Sequence, residues 1–163
     1  MNYGNKLLFV LLALLIVSCS TITPSIDSET LVRMKTGACY GECPIYTVVV
    51  KKNGELNYEG LKYVSVKGSK SAILSKESVA SIEEKLTNIK FLKMQSKLHS
   101  GNWGCFYSAT DHSYILIEAS IKNKRKAVST YTGCQSEQVD KVIELANYIE
   151  QVTEISKWVK QNP

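Results

Sequence analysis

Ile45-Tyr46-Thr47-Val48-Val49-Val50-Lys51-Lys52-Asn53-Gly54-Glu55-Leu56-Asn57-Tyr58-Glu59-Gly60 is the stretch that decides the fold. Its first arm is rich in β-branched and aromatic residues, which suit a pleated, half-buried surface. Asn53-Gly54 then supplies the usual two-residue hairpin turn between such runs. In the return arm Leu56 and Tyr58 alternate with Glu55, Asn57 and Glu59, a period of two that expects one buried and one open face. An isolated hairpin is marginal in water, so more sheet is expected around it.

Upstream, Leu31, Arg33 and Lys35 alternate with Val32 and Met34, and this reads as a preceding strand. Downstream, Lys62-Tyr63-Val64-Ser65-Val66 reads as a further strand closing at Gly68, which completes a meander. Ser75 is placed to cap a helix whose Val79, Ile82, Leu86 and Ile89 recur at helical spacing. Residues 95 to 112 show no period and read as a long ordered loop. Tyr114–Ala119 and Lys126–Tyr131 form a second hairpin around Lys122-Asn123-Lys124-Arg125, and Val139, Val142, Ile143, Ala146, Ile149 and Val152 define a second amphipathic helix after Ser136. Trp158 and Val159 dock the tail. Strand groups each followed by a helix predict an α+β fold, a largely antiparallel sheet with two main helices packed on one face.

The N-terminus carries an address. Leu7 to Val17 is an unbroken apolar run of 11 residues behind a single cation, Lys6. A membrane-crossing helix needs about 20 apolar residues, whereas a secretory leader needs only about 7 to 15. Ile16-Val17-Ser18-Cys19 resembles the lipobox of bacterial lipoproteins, which implies cleavage before Cys19 and a diacylglyceryl group on its thiol. The expected organisation is a signal peptide over 1–18, a lipidated tether over 19–28 containing Pro24, and one α+β domain over 29–163. Ser20 after the cysteine implies, by Gram-negative sorting, the outer membrane facing the periplasm.

Four cysteines remain: Cys39, Cys43, Cys105 and Cys134. An even number in an exported chain favours disulfides, and four permit three connectivities. Cys39 with Cys43 and Cys105 with Cys134 is the preferred set, with Gly41 easing the tight first loop. The formal net charge of +5 is too mild to point to nucleic acid, and no nucleic-acid module is visible. The basic turn Lys122-Asn123-Lys124-Arg125-Lys126 is expected chiefly to keep a hairpin tip solvated, with anionic lipid headgroups as its other reading.

Three chemical constellations deserve weighing. A redox pair at Cys39 and Cys43 would need cations or a helix N-terminus to lower a thiol pKa, and the neighbours are Glu42 and Pro44. Zinc on Cys39, Cys43, His99 and His112 would need thiolates that an oxidising compartment removes. Asp111 and His112 beside Ser108 and Ser113 form no triad, because adjacent residues on an extended chain point apart; Asp111 is expected to brace the loop through its carboxylate, and both histidines are expected in loops. The expectation is therefore a non-catalytic binding or structural module without cofactor or metal. Its ligand or envelope-protein partner would meet Tyr40, Tyr46, Trp103, Phe106, Tyr107 and Asp111, since loop aromatics often make contacts. The alternative is a thiol-active envelope protein using Cys39 and Cys43.

Cys39-Tyr40-Gly41-Glu42-Cys43-Pro44-Ile45-Tyr46 resembles an uncharacterised bacterial lipoprotein domain family, domain of unknown function 6438, marked by Cys-x-Gly-x-Cys-Pro-x-Tyr opening a strand. Asn53-Gly54, Tyr58-Glu59-Gly60, Gly68 and Thr110-Asp111 are similar to that family's later landmarks, over roughly residues 30 to 150. His112-Ser113 stand where the family has a proline nearby, and Cys105 and Cys134 lie outside its pattern. The resemblance implies an α+β fold and an envelope address, and it implies no activity or catalytic residue.

Overall fold

The computed structural model describes residues 25–101, 104, 105 and 107–160. The leader, Cys19, the beginning of the tether, Trp103 and Phe106 lie outside them. The strands are β1 (Thr30–Thr36), β2 (Ile45–Lys51), β3 (Glu55–Lys62), β4 (Gly68–Ile73), β5 (Lys97–Leu98), β6 (Tyr114–Ile121) and β7 (Lys124–Tyr131). They form one seven-stranded sheet in the order β4-β3-β2-β1-β6-β7-β5. All neighbours run antiparallel except β5, which pairs parallel to β7. The helices are α1 (Lys76–Asn88), α2 (Glu137–Val152) and the short α3 (Ser156–Val159). The α+β architecture matches the sequence reading.

Alternation assigns the two faces. Val32, Met34, Val48, Val50, Leu56, Ile117 and Val128 are fully buried beneath α1 and α2, which meet each other and β6. Ile82 and Leu86 of α1 and Val139, Val142, Leu145 and Ile149 of α2 supply the other half of this core. Ser75 and Ser136 cap the helices as expected, accepting from Ser78 N at 3.1 Å and Val139 N at 3.3 Å. Each cap satisfies one amide that the first turn leaves without an intrahelical partner.

Several local expectations are corrected. Residues 62–66 are not a strand: β3 runs on to Lys62, the chain turns through Tyr63 at φ 54°, and the true neighbour is β4, starting at Gly68. The first hairpin loop holds three residues, Lys52-Asn53-Gly54, with Gly54 at φ 91°, the left-handed position that a three-residue loop requires. A two-residue turn appears instead at the second hairpin, where Lys122 (φ 47°) and Asn123 (φ 63°) are both left-handed and β7 begins at Lys124. The expected loop over 95–112 contains β5.

Among the described residues no helix covers the other face of the sheet. That face is crossed near its middle by residues 25–28, expected as the end of a free tether but found docked as a strap. Ser25 N donates to Glu118 Oε1 at 2.7 Å, Arg125 Nη1 donates to the Ile26 carbonyl at 2.9 Å, and Ile26 is 4% exposed. Asp27 Oδ1 accepts from Thr30 N at 2.7 Å and turns the chain into β1. Under the strap, Arg33 and Glu118 face each other across β1 and β6 and pair through Nε and Nη2.

Candidate functional site

Both expected disulfides are formed, Cys39–Cys43 and Cys105–Cys134, with Cα separations of 5.7 and 5.5 Å. These distances lie in the ordinary range for the bond. The first closes an outer loop whose Tyr40 is 93% exposed. The second is buried and ties the segment before β6 to the turn after β7. Backbone bonds reinforce it: Ala109 N donates to Gly133 O at 2.8 Å, Gln135 N to Tyr107 O at 3.0 Å, and Thr132 N to Ser113 O at 2.9 Å.

This fastening produces an aromatic shelf at one end of the open face. Tyr114 of β6 stands opposite Tyr131 of β7 in the ladder, with ring centroids 4.9 Å apart. His99, just beyond β5, meets the edge of Tyr114 at 5.2 Å, and His112 meets Tyr131 at 6.3 Å. Tyr131 Oη accepts from His112 N at 3.2 Å. Gly37 lies beside Tyr114, donating N–H to its carbonyl at 2.8 Å, and a Cβ there would come within 3.4 Å of Tyr114 Cβ. Gly37 thus leaves the shelf open on the β1 side. At Gly133 a Cβ would lie 2.9 Å from the Tyr131 ring and 3.0 Å from that of His112, so a glycine lets both rings settle.

His99 Nε2 and Ser129 Oγ are 2.9 Å apart. Burial holds the His99 ring below the ordinary histidine pKa, Lys97 acts in the same direction, and Ser129 opposes them. Burial thus favours the neutral ring. A serine beside a neutral imidazole invites a nucleophilic reading, but two requirements are unmet among the described residues: no carboxylate hydrogen-bonds His99, and Ser129 N is already committed to Ser96 O at 2.9 Å. A mid-strand serine has its neighbouring amides engaged in the ladder, so the strand itself offers no free amide to an oxyanion.

The sequence-derived candidates separate. Tyr40 is exposed, and Tyr107 is 64% exposed near the shelf. Tyr46 does not belong to a surface: it is 2% exposed, stacks on Tyr58 at 5.9 Å, and donates its hydroxyl to Glu150 of α2. Burial, with Glu150 adding to it, raises its pKa far above the tyrosine range. Asp111 shapes its turn through a left-handed backbone, φ 65°; its carboxylate makes no hydrogen bond among the described residues, contrary to the expected brace. Asp111, His112, Ser108 and Ser113 do not assemble, and Ser113 Oγ lies 3.5 Å from Thr132 Oγ1. The zinc set is not brought together either, since Cys39 and Cys43 are bonded to each other.

His99, Tyr114 and Tyr131 are what the candidate set missed. The signal was available for two of them: in the second hairpin Tyr114 and Tyr131 stand equally far from the turn, so they must pair. No pattern within the long loop placed His99 beside them, because β5 is only two residues long.

No curated protein matches the chain. The family model described as Domain of unknown function (DUF6438) matches residues 30–153, from the first residue of β1 to just past the end of α2, a span that holds all seven strands, both long helices and both disulfides. On that match the chain belongs to the Domain of unknown function (DUF6438) family.

Proposed function

We propose that the protein is a cell-envelope lipoprotein, anchored through acyl chains on Cys19 at the periplasmic face of the outer membrane, whose domain is a non-catalytic module presenting the shelf of His99, Tyr114, Tyr131 and His112 to a ligand or partner. One observation carries the anchoring. Of five cysteines, four are consumed in two internal bridges, and the remaining one stands at the end of the apolar leader. Structural disulfides belong to exported proteins, and two acyl signals suffice for stable membrane attachment. The binding role rests on the shelf, where Tyr114 keeps 46% of its surface exposed although its sheet neighbours hold it rigidly. Rigid aromatic rings give contact area at little entropic cost.

Intact mass and fractionation test the anchoring. The expected product lacks residues 1–18, carries added acyl mass, is four hydrogens lighter than the reduced form, and sediments with membranes; Cys19→Ala releases it to the soluble fraction. Unprocessed full-length chain in the cytosol would refute the reading.

The surface position of the Cys39–Cys43 loop favours one second reading, thiol exchange, because exposed bridges are the labile ones. Its reduction potential decides. A value below about −300 mV marks a structural bridge, and one between about −180 and −120 mV marks a thiol-active pair.

A further inference from the structure

Behind the β6–β7 hairpin tip, on the helix side, lies an apolar crevice of about 210 Å³. Leu86, Phe91, Leu92 and Ile121 form its floor, and Lys90, Lys93 and Lys122 form its rim. All three lysines are exposed, and none is in an ion pair among the described residues. Among the residues that line the crevice these three lysines are the only charged ones. Two rim lysines sit in left-handed backbone, Lys90 at φ 56° and Lys122 at φ 47°. Lys90 follows the C-cap of α1 and Lys122 opens the two-residue hairpin turn, so the fold itself sets both conformations and with them the placement of these two lysines.

An apolar floor under a cationic rim matches an amphiphile with an anionic head. The volume is below that of a pocket for a drug-sized molecule, about 300 to 1,000 Å³, so it admits part of one acyl chain and leaves the headgroup among the lysines. We propose that this crevice binds an acyl chain of an anionic phospholipid in the membrane that holds the protein, and so seats the hairpin tip on the bilayer. The inference rests on the proposed anchoring for bringing the membrane within reach. Residues 19 to 25 span at most about 20 Å when extended. The strap they lead into lies beside the tip, where Ser28, Ser120, Asn123 and Arg125 line a hollow of about 390 Å³.

The test uses the full acylated chain on vesicles of phosphatidylcholine alone or mixed with phosphatidylglycerol, with acetylation of each lysine read by mass spectrometry. On the anionic vesicles Lys90, Lys93 and Lys122 should react several-fold more slowly, while Lys70 and Lys157 react at one rate on both. The exposed pair Lys93→Glu with Lys122→Glu should remove the protection of the remaining rim lysine, Lys90, weakening tip contact by roughly tenfold or more, with circular dichroism unchanged. Equal rates at the three rim lysines on both vesicles would overturn the proposal. So would equal protection by dissolved dibutyryl phosphatidylglycerol, which offers the headgroup without a long chain, or by polyphosphate. The anchoring is judged separately in the same samples: missing acyl mass refutes it, while labelling of protein added to preformed vesicles still reads the crevice.

Discussion

Glu118→Leu should be among the most damaging changes on the open face. Glu118 is a carboxylate with a side chain 3% exposed that accepts from Arg33 Nε at 2.6 Å and from Ser25 N at 2.7 Å. Removing it strands a guanidinium beneath the strap. Breaking a buried pair by deleting one partner costs about 3 to 5 kcal/mol. Arg33 keeps 18% of its side-chain surface and regains some water, which places the loss near the lower end, about 3 kcal/mol. Replacing both groups, Arg33→Met with Glu118→Leu, removes the uncompensated charge and should cost only about 1 kcal/mol or less, because well-packed apolar side chains substitute for a buried ion pair almost neutrally. Urea denaturation followed by circular dichroism measures all three variants, with an unchanged m-value confirming that only stability moved. The cycle should show a coupling of about 2 kcal/mol or more, and amide exchange at Ser25 and Ile26 should accelerate in the single variant. A single variant within about 1 kcal/mol of the parent, or a double variant as unstable as the two singles summed, would refute the claim that the strap is held by this ion pair.

Removing the Cys105–Cys134 bridge with alanines should destabilise by about 3.5 kcal/mol, against about 2 kcal/mol for Cys39–Cys43, because the larger loop loses more chain entropy; equal melting shifts would contradict that ranking. Gly60→Ala should cost about 3 kcal/mol, since a Cβ would lie 2.0 Å from Val66 O and 2.7 Å from Tyr58 Oη; a melting temperature within a degree of the parent would show that this backbone yields. Thr130→Val should stabilise by about 1 kcal/mol in chemical denaturation, because the Thr130 hydroxyl is buried without a hydrogen-bond partner among the described residues; a loss would reveal a partner. His99 should titrate below the ordinary 6.5 in an NMR pH series. The unfolded chain then binds the extra proton first, so the stability from the neutral ring is complete above about pH 6.5 and declines as pH falls through the folded-state value. A His99 midpoint above 6.5 would contradict the burial argument.

What was legible in the sequence depended on how locally each feature is encoded. The β2–β3 and β6–β7 hairpins, the capped helices and the alternating core could be read from periods of two and 3.6. β4 could not: Gly68-Ser69-Lys70-Ser71-Ala72-Ile73 is an edge strand exposed at most positions, and its pairing with β3 is decided by tertiary contact. Tyr46 was misplaced because an aromatic residue after a cysteine loop looks like a surface reader, whereas Glu150 of α2, 104 residues away, provides the buried hydroxyl with its acceptor. The strap escaped for the same reason. Ser-Ile-Asp-Ser has no period, and its docking depends on a charge pair whose members lie 85 residues apart in sequence.

The strap also bears on how the open-face shelf and the hairpin tip would work together. β6 runs from Tyr114 at the shelf to Ile121 at the tip, about 23 Å at roughly 3.3 Å per residue, and the chain leading back to Cys19 leaves this strand at Glu118, between them. With the tip seated on the bilayer, the rigid sheet fixes the height of the shelf, and the strap prevents the domain from swinging on its linker. The shelf then faces away from the membrane at more than twice the Debye length of about 8 Å in physiological salt, beyond direct attraction from lipid headgroups. On the proposed anchoring, a ligand taken there would come from solution and not from the lipid surface, so lengthening the tether before Ser25 should leave shelf binding unchanged, and an affinity that moved several-fold with tether length would refute this placement.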